Sequence, residues 1–73
     1  MFKMIFIEKL SIDKAKEIIY SGKKNVKLAD ERWKTLSDHY GDNCELWTYQ
    51  DFTGYGIAIK TNNKTIKKIE LMK

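Results

Sequence analysis

Between Leu46 and Ile59 the chain reads Leu-Trp-Thr-Tyr-Gln-Asp-Phe-Thr-Gly-Tyr-Gly-Ile-Ala-Ile, and this stretch limits the fold more than any other. It holds four of the nine aromatic residues, at 47, 49, 52 and 55. Aromatic and β-branched residues on either side of a short polar segment specify two strands of a hairpin, Glu45 to Gln50 and Gly54 or Tyr55 to Lys60. A period of two puts Trp47 and Tyr49 on one face of the first strand, and Tyr55, Ile57 and Ile59 on one face of the second. Merging these apolar sets pairs Trp47 with Ile57 and Tyr49 with Tyr55. Gln50–Gly54 is then a five-residue loop with Phe52 at its tip. The merged face is the one on which helices are expected to pack. Gly56 and Ala58 fall on the opposite face, where small residues admit a close approach.

A turn at Thr61–Lys64 leads into a last strand, Thr65 to Leu71. A two-residue loop, Asn62-Asn63, would set Ile57 against Lys68. A three-residue loop, Asn62-Asn63-Lys64, sets Ile57 against Ile69 and Tyr55 against Leu71, and the apolar match selects it.

Upstream, residues 2–7 are nearly all apolar, as in a strand covered on both faces or an inner strand of a sheet. Ser11 is placed to cap a helix of about three turns, with Asp13 in its first turn and Gly22 at its C-terminal stop. Ile12, Ala15, Ile18 and Ile19 form its apolar stripe. Lys23-Lys24-Asn25 reads as a connector. Ala29, Trp33, Leu36 and Tyr40 recur at helical spacing, which predicts a second helix over 29–40 with Asp30 as N-cap and Gly41 as stop. The order β-α-α-β-β-β makes a single α+β domain over residues 1–73. Its antiparallel sheet is a C-terminal three-stranded meander plus the N-terminal strand, with two helices on one face.

A chain of 73 residues with 42% hydrophobic residues can bury only a small core, which leaves room for a partner or a self-dimer to supply further burial. Cys44 is the single cysteine, which excludes a disulfide framework. The apolar run at the start is too short for a signal peptide or a membrane span, so a cytoplasmic protein without a membrane partner is expected. The net charge of +4 comes from thirteen lysines and one arginine, Arg32, against ten acids. Arginine makes bidentate forks on phosphate and lysine does not, so the dispersed lysines read first as solvated faces.

No motif specifies a reaction or a named ligand. His39 and Cys44 are five residues apart, match no zinc spacing and have no third group to orient a base, so neither a metal, nor a cofactor, nor an enzyme is expected. Gly54-Tyr55-Gly56 resembles part of the RNA-recognition-motif segment, which implies RNA binding by aromatic stacking. It departs from it at Thr53 and Ile57, and no helix follows the strand. Were Trp47, Tyr49 and Tyr55 exposed, they would form a stacking platform for bases. The element order is loosely similar to RelE-type toxins, which cut ribosome-bound mRNA with basic side chains and a tyrosine. That similarity is topological and covers mainly the meander. It implies a ribonuclease using Tyr55 and lysines, although Tyr55-Gly56-Ile57 lacks the arginine that commonly follows the tyrosine and the C-terminal helix is missing.

Phe52 is the most suggestive residue, because an aromatic on a loop held by a rigid sheet is a typical interface anchor. The sequence therefore points to a non-catalytic inhibitor or adaptor that docks on a larger protein or nucleoprotein complex, such as host-defence or nucleic-acid-processing machinery. In size and composition it is similar to the small inhibitors of phages and mobile elements, anti-CRISPR proteins included. The expected interface is Tyr49, Asp51, Phe52 and Tyr55, flanked by Lys60 and Lys64. A monomer or homodimer fits this reading. The alternative partner is nucleic acid, held by lysines and the aromatic sheet.

Overall fold

The computed structural model describes residues 3–21, 25–62 and 64–72. Six elements follow in order: β1 (Ile5–Leu10), α1 (Ile12–Tyr20), α2 (Val26–His39), β2 (Glu45–Asp51), β3 (Gly54–Thr61) and β4 (Lys64–Met72). The strands form one antiparallel sheet in the order β1-β2-β3-β4. This is the α+β arrangement that the sequence specifies.

The first strand is displaced from the expected 2–7 to Ile5–Leu10, and Phe2 lies outside the described residues. β1 is an edge strand, not an inner one, because β2 and β3 satisfy each other in the meander and leave only one side of β2 open to it. Ile5 and Ile7 are accordingly 56% and 54% exposed. Its register shifts between Phe6 and Glu8, a bulge of the kind that bends edge strands.

Ser11 caps α1 as expected, its hydroxyl accepting from the Lys14 amide at 3.1 Å. The last turn is closed by Ser21, whose amide and hydroxyl donate to the Ile18 carbonyl at 3.2 and 2.8 Å. Gly22 and Lys23-Lys24 lie outside the described residues. α2 begins earlier than its apolar pattern predicts. Asn25 is the cap, its side-chain Oδ1 accepting from the Leu28 amide at 3.0 Å. Asp30, the expected cap, sits inside the helix and accepts from the Tyr20 hydroxyl at 2.5 Å, tying α2 to α1. The bond to Asp30 raises the Tyr20 pKa. Tyr40 ends the helix instead of packing from it, and is exposed.

The two hairpins correct the expected registers. Trp47 pairs with Ala58, Tyr49 with Gly56 and Asp51 with Gly54, so the β2–β3 connection is the two residues Phe52-Thr53, not five. A slip of one residue exchanges faces. The helices therefore cover Leu46 and Thr48 with Ile57, Ile59 and Ile69, while Trp47 and Tyr49 lie on the helix-free face. Large side chains oppose small ones across the strands, which the merging of apolar sets did not anticipate.

In the second hairpin Ile57 does pair with Ile69, but by another route. Thr61 pairs with Lys64, so Lys64 belongs to β4, and the register shifts between Ile59 and Lys60 to leave Ile66 as an extra residue. A second shift pairs Tyr55 with Met72 in place of Leu71. Asn62 turns at φ 49°, the left-handed region that Asn tolerates better than most residues. Asn63, the other residue of that expected loop, lies outside the described residues.

The core between helices and sheet comprises Leu10, Ala15, Ile19, Ala29, Leu36, Leu46, Ile57, Ile59 and Ile69. Each large aliphatic side chain buried there stabilises the fold by about 1.5–3 kcal/mol. Among the described residues no helix is long and apolar enough to cross a membrane.

Candidate docking surface

The turn that carries Phe52 is built on one carboxylate. Asp51 is only 8% exposed. Its Oδ1 accepts from the Thr53 hydroxyl at 2.5 Å, the Thr53 amide at 2.9 Å and the Gly54 amide at 3.1 Å. Its Oδ2 accepts from Lys68 Nζ at 3.0 Å, which ties the turn to β4. These bonds favour the charged form. The Thr53 hydroxyl, and after it Lys68, hold the Asp51 pKa down at about 2 against the opposing effect of burial. Gly54 adopts φ 142°, a conformation open to glycine, so the two-residue turn closes at low steric cost. Phe52 stands on this pedestal 79% exposed and does not fold back onto the core.

The register places Ile5, Gln50 and Tyr55 in one row across the same end of the sheet. Ile5 is more than half exposed and Tyr55 is half-buried. Ile5, Gln50, Phe52, Thr53 and Tyr55 carry no formal charge, although 33% of the chain is charged. Charge depletion around an aromatic is the compositional mark of an interface centre.

Of the six residues expected to form the interface, Phe52 and Tyr55 share this end and Asp51 supports it from below. Tyr49 does not belong to it. The residue is wholly buried, and among the described residues its hydroxyl has no hydrogen-bond partner. Burial, with Asp51 and Glu70 nearby, raises the Tyr49 pKa. Lys60 and Lys64 are also elsewhere: β3 runs seven residue steps from Gly54 to Thr61, Lys64 pairs with Thr61, and the two turns are thus roughly 23 Å apart.

The helix-free face has its own small cluster, which the sequence did not reveal. Phe6 and Trp47 meet edge-on, with centroids 6.2 Å apart at 69°. Lys60 Nζ lies 4.3 Å from the Phe6 centroid and 5.1 Å from that of Trp47. Lys68 Nζ lies 5.7 Å from the Tyr49 ring. Glu45 accepts from Trp47 Nε1 at 3.0 Å and pairs with Lys9 at 3.2 Å, and these bonds lower its pKa. Lysine ammonium groups thus sit over the aromatics that would otherwise be a stacking platform. Lys9, Lys60 and Lys68 are balanced by Glu45, Asp51 and Glu70. The one available signal was the alternation of Gly56 and Ala58, which marks a strand crossed closely by large side chains.

His39 Nδ1 lies 2.8 Å from the Thr35 carbonyl oxygen, and Cys44 packs half-buried against the core. Among the described residues no three His, Cys, Asp or Glu side chains are grouped to hold a metal ion. No protein-family model, curated protein or solved structure matches the chain.

Proposed function

We propose that this chain is a non-catalytic binding protein, an inhibitor or adaptor acting in the cytoplasm, that docks on a larger protein or nucleoprotein complex through the sheet end bearing Phe52. One observation carries the reading: an aromatic side chain 79% exposed on a turn that four hydrogen bonds to the Asp51 carboxylate hold in place. Exposing Phe52 gains nothing for the fold, while presenting it rigidly lowers the entropy cost of binding. Ile5 and Tyr55 extend the apolar surface beside it. The charge balance of the helix-free face, and the lysines seated over its rings, favour a protein partner over nucleic acid.

The test is affinity capture from lysate with the wild-type chain and Phe52→Ala, each with and without nuclease. A discrete protein that survives nuclease treatment and is lost with Phe52→Ala is the expected result. The substitution should weaken binding by more than about 1 kcal/mol and shift folding stability by less than about 0.5 kcal/mol. Recovery that collapses on nuclease treatment would transfer the function to nucleic acid.

A further inference from the structure

The outer edge of β4 and the neighbouring side of α2 carry a second surface, independent of Phe52. A groove of about 350 Å³ runs between them, lined by Leu28, Glu31 and Arg32 of α2 and by Lys68, Ile69 and Glu70 of β4. β4 is a nine-residue strand at the edge of the sheet, a template for pairing with another strand. Leu28 is 38% exposed at the lip of the groove. The α2 wall carries an acid and a base, Glu31 and Arg32, while the Lys68 and Glu70 side chains of β4 alternate to the helix-free face beside the same edge. Among the described residues neither Glu31 nor Arg32 forms an ion pair.

We infer that this edge is a self-association surface on which a second copy of the chain pairs antiparallel through β4, with the twofold axis at Ile69. A surface that meets its own copy must be self-complementary, so balanced charge is what it requires. A twofold axis normal to the sheet sets residues of the same face opposite one another. Centred on Ile69, it places Lys68 opposite Glu70 of the second copy, twice, and Ile69 opposite itself. Lys67 falls opposite Leu71, and no β4 lysine faces another. Moving the axis to residue 68 sets lysine against lysine, and moving it to 70 sets glutamate against glutamate. Directly opposed like charges destabilise a strand pair, so charge selects the register at 69. Lys68 then lies between Asp51 of its own chain and Glu70 of the other. Because α2 flanks β4, the two copies of α2 approach across the axis. The adjacent Glu31 and Arg32 can then pair reciprocally while Leu28 is covered. The result is an eight-stranded sheet in which both Phe52 turns remain free.

Sedimentation equilibrium from low micromolar to about 500 μM tests the inference. The expected result is a reversible monomer–dimer equilibrium whose Kd rises at least about tenfold in Glu70→Lys and in Arg32→Glu. Both are surface changes whose folding is checked by circular dichroism. The double exchange Glu31→Arg with Arg32→Glu should recover most of the lost affinity, and Ile5→Lys on the opposite sheet edge should leave the dimer intact. A wild-type chain that stays monomeric throughout, a Kd unmoved by both Glu70→Lys and Arg32→Glu, or a dimer abolished by Ile5→Lys would overturn it.

Discussion

The ring of Tyr49 lies against the backbone of Gly56 on the strand beside it. A Cβ built at Gly56 would stand 2.9 Å from Tyr49 Cε2, 2.9 Å from its hydroxyl oxygen and 2.1 Å from the carbonyl oxygen of Ile69. The first two contacts could be relieved by tilting the ring. The third is with backbone, and only separation of β3 from β4 relieves it. Gly56→Ala should therefore destabilise the fold by about 3 kcal/mol or more, at the upper end of overpacking costs. Urea unfolding followed by tryptophan fluorescence measures it, and a loss under about 1 kcal/mol would show that β3 and β4 part at Gly56 at little cost.

The Tyr49 hydroxyl is buried without a partner among the described residues. An unpaired buried hydroxyl costs free energy, whereas the ring earns its place by burial. Tyr49→Phe should leave stability unchanged or raise it by up to about 1 kcal/mol. Tyr49→Ala should cost about 3–5 kcal/mol, as truncation of a core aromatic does. If Tyr49→Phe were clearly destabilising, the hydroxyl would have to be making a hydrogen bond.

These two residues also show how far the sequence could be read. Element order and fold class followed from periodicity and punctuation, and Ser11 announced its helix because a hydroxyl stood directly before an apolar stripe. The β2–β3 register did not follow. Hydropathy pairs large apolar residues with each other, while the chain pairs Trp47 with Ala58 and Tyr49 with Gly56. Hydropathy also counts lysine as solvent, and so misses Lys60 and Lys68 covering aromatic rings on a face without helices. At the docking end Phe52 was legible as an unexplained aromatic in a turn. Its companion Ile5 was not, because it reaches that row only through the pairing of β1 with β2.

The early start of α2 has a separate test. Asn25 accepts from the Leu28 amide and so satisfies a first-turn donor that nothing else within the helix can reach. Asn25→Ala should cost about 1 kcal/mol. Asp30→Ala should cost less, since it removes only an exposed side-chain bond to Tyr20. A comparison of thermal midpoints for the two variants ranks them, and the reverse order would return the cap to Asp30.

The acid limb of stability should report on the Phe52 pedestal. Asp51 titrates at about 2 in the folded chain, below the ordinary aspartate value of 3.8, chiefly because the Thr53 hydroxyl and Lys68 bond its ionised form. A carboxyl whose folded pKa is depressed contributes stability that is fully present above its unfolded pKa. That contribution is lost as pH falls through the folded pKa. The wild-type chain should thus lose stability between about pH 4 and pH 2 more steeply than Asp51→Asn, which cannot ionise. Thr53→Val, lacking the hydroxyl, should move the end of that loss to higher pH. Urea midpoints at pH 6, 4, 3 and 2 for the three proteins decide the matter. Parallel curves for wild type and Asp51→Asn would mean that the carboxylate does not organise the turn, and that Phe52 is not held where its exposure can serve binding.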